Sequence, residues 1–296
     1  MKHLVIGPGA MGYFAFLGAL SALSDIHTLN ELESISGASA GSILGFLFLL
    51  SKGDIQWMLQ YSLTVPVKSI MKPNIKTLLR SYGLIGTRKF RRVLEDLTHV
   101  LMGKNDITFK ELYDHWPIRF HVSACCVDLH ATHYFSVDTT PTMSVLDAVC
   151  MSVSIPFLFQ SVRHGPWHYI DGGALEELPC GPYISVDPRT VCALHIHGEW
   201  VTKGVKDLRS YSFEILGAAM KLRHKYTIFP KINIELRSSD TFDFNASHDA
   251  KIRLFAKGYS TVKKYQERLN VLHDSSRCSS ASTLSENDSC PPVSNT

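Results

Sequence analysis

A chain of 296 residues with 45% hydrophobic content is long enough for one large α/β core. Its formal net charge of +3 comes from interspersed signs, which argues against the clustered basic face of a nucleic-acid binder. Seven cysteines, an odd number without CxxC spacing, suggest neither a disulfide framework nor a metal site, so a reducing, cytoplasmic compartment is expected.

The opening MKHLVIGPG has too short an apolar stretch for a signal-peptide core and reads as a first strand, residues 3–6, running into the loop Gly7-Pro8-Gly9-Ala10-Met11-Gly12. Residues 10–23 carry helix formers with bulky side chains at Met11, Phe14, Leu17 and Leu20. A second short strand at 32–36 leads into Gly37-Ala38-Ser39-Ala40-Gly41 and an apolar run to Leu50. Two strand-turn-helix units in succession predict an α/β fold, a mostly parallel sheet flanked by helices, because parallel strands need crossover connections. The longest apolar run, residues 43–50, is far below the roughly 20 residues that span a bilayer as a helix.

Residues 54–101 are helical in flavour and locally basic, with Lys68, Lys72, Lys76, Arg80, Arg88, Lys89, Arg91 and Arg92 among apolar residues. The plain reading is a solvated helical face; the functional one is a surface that meets anionic lipid headgroups. Buried strands are expected at 121–127, 134–137 and 191–196, and a short helix at 144–153 stopped by Pro156. Residues 274–296 hold eight serines, two prolines and almost no large apolar side chains, so they are expected to be disordered. One domain, residues 1–273, and a serine-rich tail, 274–296, result.

The pentapeptide Gly37-Ala38-Ser39-Ala40-Gly41 matches G-x-S-x-G, in which a strained strand-to-helix turn pushes a serine oxygen into the open and small flanking residues avoid the crowded backbone. Read alone, Ser39 could simply cap a helix. Its setting between a strand and an apolar helix favours the nucleophile, since the helix N-terminus would also favour a nearby oxyanion. A serine hydroxyl needs a base, and the oxyanion needs donors. Gly7 to Gly12 offers backbone N–H groups in a tight loop, and Asp171-Gly172-Gly173 follows a strand end at His168-Tyr169-Ile170 with glycines that let the chain turn away from the carboxylate. An Asp-Gly pair by itself is only a common turn former.

The three motifs in this order resemble the patatin-like phospholipase family: a glycine-rich oxyanion loop, then G-x-S-x-G, then D-G-G. Residues 151–159, with a serine, proline and phenylalanine ahead of the aspartate, and residues 107–112 are also similar to family segments. The likeness covers roughly residues 1–200 and implies a three-layer patatin-like fold and a lipid acyl hydrolase. It implies that Ser39 attacks the acyl carbon, that Asp171 takes the proton, and that water later releases the fatty acid, with no metal and no cofactor. The oxyanion hole would come from Gly7, Gly9, Ala10, Gly12 and Ala40, with Gly37, Gly41, Gly172 and Gly173 as motif glycines. A lipid substrate held in a membrane or lipid-droplet surface would be the partner. His121, His168, His195 and His197 receive no role.

The chain departs from the family pattern at Pro8, which donates no N–H, at Met11, where the family has a basic residue, and near Glu177, where it commonly has an asparagine. Gly9, Ala10 and the amide of Ala40 would then have to serve the oxyanion. Two rival readings remain. Gly7 to Gly12 fits G-x-G-x-x-G after a strand, the start of a nicotinamide-dependent reductase, although the second strand ends at Gly37-Ala38-Ser39 and not in the acidic residue that grips a ribose. The other rival is a catalytically inactive lipid-binding protein on the same fold.

Overall fold

The computed structural model of the chain describes residues 1–198, 204–205, 211, 214–215, 217–218 and 228–282, with side chains described up to residue 270. Its strands are β1 (His3–Ile6), β2 (Ser34–Ala38), β3 (Gly83–Ile85), β4 (Arg119–Cys126), β5 (Ala131–Phe135), β6 (Phe157–Phe159), β7 (Val162–His164), β8 (Trp167–Asp171), β9 (Val191–His197) and β10 (Lys231–Glu235). The helices up to the middle of the chain are α1 (Tyr13–Asp25), α2 (Ala40–Leu50), α3 (Ile55–Thr64), α4 (Val67–Ile70), α5 (Ile75–Ser81), α6 (Arg88–Met102), α7 (Phe109–His115) and α8 (Val145–Ser152). A long C-terminal helix, His248–Ser282, closes the described chain.

Five strands run parallel in the order β10-β9-β1-β2-β4, and β8 and β7 extend the sheet beyond β4 in antiparallel pairing. β2 is buried along its whole length because helices cover both faces of the sheet and a central strand has no solvent side. The same logic makes α1 and α2 apolar on nearly every face. α1 is clamped between the sheet and the C-terminal helix, and the two helices approach backbone to backbone. A Cβ on Gly18 would stand 1.9 Å from the Phe255 carbonyl oxygen, and one on Gly258 would stand 1.7 Å from that of Ala15. The result is the three-layer α/β arrangement that the two N-terminal strand-turn-helix units imply.

The register of β4 matters most for function. Its residues Arg119 to Ser123 pair with β2, and where β2 ends, Ala124 to Cys126 pair with β8 running the other way. β5 fills the opposite edge from Val122 to Cys126. β2 and β8 therefore approach head to head along one edge of β4.

Several elements differ from the sequence expectation. The first helix begins at Tyr13 after a 3-10 turn over Ala10–Gly12, and β5 covers 131–135 where 134–137 was expected. β10 and the C-terminal helix were not anticipated. That helix continues to Ser282, so the expected boundary at residue 273 falls inside it, and residues 283–296 lie outside the described residues. Among the described residues no helix is long and apolar enough to cross a membrane.

Candidate active site

Ser39 links β2 to α2 with φ 53° and ψ −120°, a backbone that a side-chain-bearing residue seldom holds unless its surroundings enforce it. Two glycines do the enforcing. A Cβ on Gly37 would sit 2.5 Å from the Gly41 carbonyl oxygen, and one on Gly41 would sit 2.2 Å from that of Ile6. The turn therefore folds flat against β1 only because both positions lack a side chain. Ser39 is 5% exposed; its N–H donates to Ser152 Oγ at 2.9 Å, and its carbonyl accepts the Ser42 hydroxyl at 2.7 Å.

Asp171 ends β8 and is also 5% exposed. Its Oδ1 accepts the Gly173 N–H at 2.8 Å, so the carboxylate caps the 3-10 turn Gly172–Ala174 that carries the chain away. Its own N–H donates to the Ser154 carbonyl at 2.9 Å. The end of α8 and the residues just after it thus hold both candidate residues, Ser39 through the Ser152 hydroxyl and Asp171 through the Ser154 carbonyl. That is a physical reason for a serine at 152, whose hydroxyl receives the Ser39 N–H; the Ser154 hydroxyl donates to the Cys150 carbonyl instead. Gly172 completes the fit, since a Cβ there would come within 2.3 Å of the Ser123 carbonyl oxygen.

The residues expected to form the oxyanion hole do not stand equal. The Gly7 amide donates to the Leu194 carbonyl at 3.0 Å, as part of the β1–β9 ladder, and the Gly12 amide donates to Gly9 at 2.7 Å. Both are committed to structure. Gly9 and Ala10 donate to no other described backbone group, and Ala40 sits in the first turn of α2, where amides have no intrahelical partner. Ala10 adopts φ 43°, a left-handed conformation that turns this loop toward the cleft. Pro8 packs its ring against Gly173, where a Cβ would meet it at 2.7 Å. Met11 is buried and faces an apolar cavity instead of bringing a charge to the site.

Ser39 borders two cavities. One is a cleft of mixed lining, where Gly9, Ala10, Asp171, Gly173, Glu177 and His195 stand beside apolar residues such as Ile155 and Phe242. The other is an apolar cavity walled by residues that include Phe14, Ile43, Leu47, Val93 and Leu97. At the side of the latter, Tyr13 and Ser62 share a buried hydrogen bond of 2.7 Å.

Of the histidines left without a role, His195 alone among the four lines the cleft. It is buried, its Nδ1 lies 2.9 Å from Asn233 Oδ1 and its Nε2 lies 3.3 Å from Glu177 Oε1. Burial lowers its pKa from the ordinary value. His121 lies on β4 against the Tyr183 ring, and burial pushes it down to about 4. His168 pairs with Asp128 at the surface. The sequence carried no motif for His195; its level beside Gly7 follows only from the pairing of Ile6 with Leu194.

A model of the patatin-like phospholipase family matches residues 4–184, a span that contains the glycine loop, the serine turn and the Asp171 turn. The chain belongs to the patatin-like phospholipase family. Membership makes it an enzyme of the esterase and lipase kind and removes the reductase reading of Gly7 to Gly12. As a patatin-like chain it is 27% identical over 288 residues to the probable lipid hydrolase 463L of Invertebrate iridescent virus 6, with 92% of each protein covered. It is also 27% identical over 187 residues to an uncharacterized protein of Acanthamoeba polyphaga mimivirus, with 60% of each covered. In fold it resembles VipD from Legionella pneumophila, with a TM-score of 0.63, 16% identity, and coverage of 89% of this chain and 66% of that one.

Proposed function

We propose that the protein hydrolyses fatty-acyl esters of phospholipids or acylglycerols through a Ser39–Asp171 dyad and an acyl-enzyme. The observation that carries this reading is the position of Ser39, a buried residue on a strained turn that opens both on an apolar cavity fit for an acyl chain and on the cleft that contains Asp171. In the first half-reaction Asp171 accepts the Ser39 hydroxyl proton as the oxygen attacks the ester carbon. The negative charge on the former carbonyl oxygen meets the amides of Gly9, Ala10 and Ala40 and the N-terminal end of α2. Collapse breaks the bond to the alcohol, which leaves with the proton from Asp171. Water then attacks the acyl-enzyme with the same residue as base, and the fatty acid departs.

His195 and Glu177, on the wall of the cleft, have no step in this scheme. An inactive lipid-binding protein would keep the cavity but not turn over. Labelling with a fluorophosphonate probe followed by mapping decides between them, since the probe forms a covalent bond only with an activated serine. Modification at Ser39, with nitrophenyl ester turnover that persists in chelator, is the expected result. No labelling, or labelling at another serine, refutes the scheme. The natural substrate resides in a membrane or droplet surface, and the enzyme has to work there.

A further inference from the structure

One wall of the apolar cavity is built by Val67, Ile70, Met71 and Phe90, from α4 to α6. The stretch that supplies this wall differs in charge from the rest of the protein. Residues 55–94 contain eight Lys or Arg and no Asp or Glu, so in a chain of net charge +3 the remainder is net −5. Lys68, Lys72, Lys76, Arg80, Arg88 and Arg92 are exposed and make no salt bridge to another described residue, whereas Arg91 is held by Glu95, Asp106 and Asp147.

Between these cations α5 turns large apolar side chains to the outside. Ile75 is 66% exposed, Leu79, one turn later, 79%, and Tyr82, at the helix end, 65%; α5 itself buries no residue. Next to Tyr82, Gly83 pairs with Phe157, an aromatic that is 42% exposed and is held at φ 65°, where such residues are rare. A grouped set of exposed large apolar residues marks an interaction site. Its ring of unpaired cations selects the occupant: apolar tips that enter the acyl boundary and ammonium and guanidinium groups that stay among phosphates are the chemistry of a protein lying on an anionic lipid surface.

We propose that Ile75, Leu79 and Tyr82, with Lys68, Lys72, Lys76 and Arg80 around them, form the face by which the enzyme docks on anionic lipid, beside the wall of the cavity that opens on Ser39. The claim rests on the lipid-hydrolase reading for what enters the cavity, and not for the docking itself.

The test is flotation of the whole protein with vesicles of phosphatidylcholine alone or mixed with phosphatidylserine. The wild type should float with the mixed vesicles, less with the neutral ones, and less as salt rises. Lys72→Glu with Lys76→Glu, and separately Leu79→Ser with Tyr82→Ser, should each lower partitioning by about tenfold or more, with hydrolysis of nitrophenyl butyrate unchanged. A Tyr82→Trp variant should shift its emission to the blue further on mixed vesicles than on neutral ones. Equal binding to both vesicles, or full binding by both double variants, overturns the proposal. So does a self-associated form that Leu79→Ser with Tyr82→Ser dissolves, because the face then belongs to a second copy. Flotation without ester turnover in the wild type would sink the hydrolase reading and leave the docking face standing.

Discussion

Ala38 and Asp171 lie in register with consecutive residues of one strand, Ala38 opposite Ser123 of β4 and Asp171 opposite Ala124. Ser39 follows Ala38 directly, so the sheet ladder itself brings the proposed nucleophile and the proposed base to the same place across 132 positions of sequence. A site positioned by backbone hydrogen bonds tolerates little drift, which suits chemistry in which displacement of the reacting atoms by about 1 Å is costly.

The dyad makes the first prediction. Ser39→Ala removes the attacking oxygen, and Asp171→Asn keeps size and the Gly173 hydrogen bond but cannot accept a proton. Each should lower ester turnover by about a thousandfold or more, and the double variant should lose little beyond either single one, since residues that share a step are strongly non-additive. His195→Gln should keep most of the rate. If instead Asp171→Asn turns over normally and His195→Gln does not, His195 is the base.

Ser152 gives a prediction about positioning. Its hydroxyl receives the Ser39 N–H at 2.9 Å in a buried setting. Ser152→Ala orphans that amide, which costs about 1–3 kcal/mol, and frees the strained turn to relax. The expected kinetics are a kcat lowered by about tenfold, with KM for a short ester hardly changed. An unaltered kcat would mean that the glycine packing holds Ser39 unaided.

The apolar cavity should discriminate by chain length. Val93 on α6 lines it and is only partly buried, so Val93→Trp can fill space there without displacing the central core. Turnover of a palmitoyl ester should fall by about tenfold or more, while that of a butyryl ester stays within about twofold, in line with the worth of several methylenes in an apolar pocket. Equal losses for both esters would place the acyl chain elsewhere.

Stability should fall in mild acid. Burial lowers His121 to about 4, with Arg119 and His3 adding to it and Asp138 opposing. A histidine depressed in the folded state contributes stability that is full above its unfolded value near 6.5 and is lost as pH falls from there toward 4. Between pH 7.5 and pH 5 the unfolding free energy should drop by at most about 2 kcal/mol on this account; His195, also lowered by burial, acts in the same direction. Urea titrations at the two pH values measure it. In His121→Gln the drop should shrink, and a wild type equally stable at both values would contradict the burial argument.

The parts legible in the sequence are those where a local pattern and a backbone constraint coincide. G-x-S-x-G and D-G-G are readable because carbonyl oxygens leave no room for a Cβ at Gly41 and Gly172. The strands β1 and β9 are readable because burial leaves short apolar runs in them. What stayed hidden is set by tertiary register. No local signal says that the Gly7 amide would be taken by Leu194, or that His195 and Glu177 would reach the cleft. The C-terminal helix did carry a signal in its spaced Leu254, Phe255, Val262 and Tyr265, which pack on the core among many charged residues.

That helix supplies the last prediction, on what the end of the chain does for catalysis. Its contacts with α1 lie early: Gly258 abuts Ala15, Tyr259 Oη donates to Asp25 Oδ2 at 2.8 Å, and Leu254 and Val262 are buried. The serine-rich sequence from Asp274 onward offers almost nothing large and apolar for a helix to dock with, whether or not it is wound into one. Truncation after His273 should therefore leave ester turnover within about twofold and the melting temperature nearly unchanged, since the removed residues contribute little to the core. Truncation after Asn245 should fail, because it uncovers α1, which is buried along nearly its whole length and packs more extensively on this helix than on any other described helix. Turnover and melting curves for the two truncations separate the cases. A large loss of solubility or rate in the shorter cut, after His273, would show that the tail binds to the body of the enzyme.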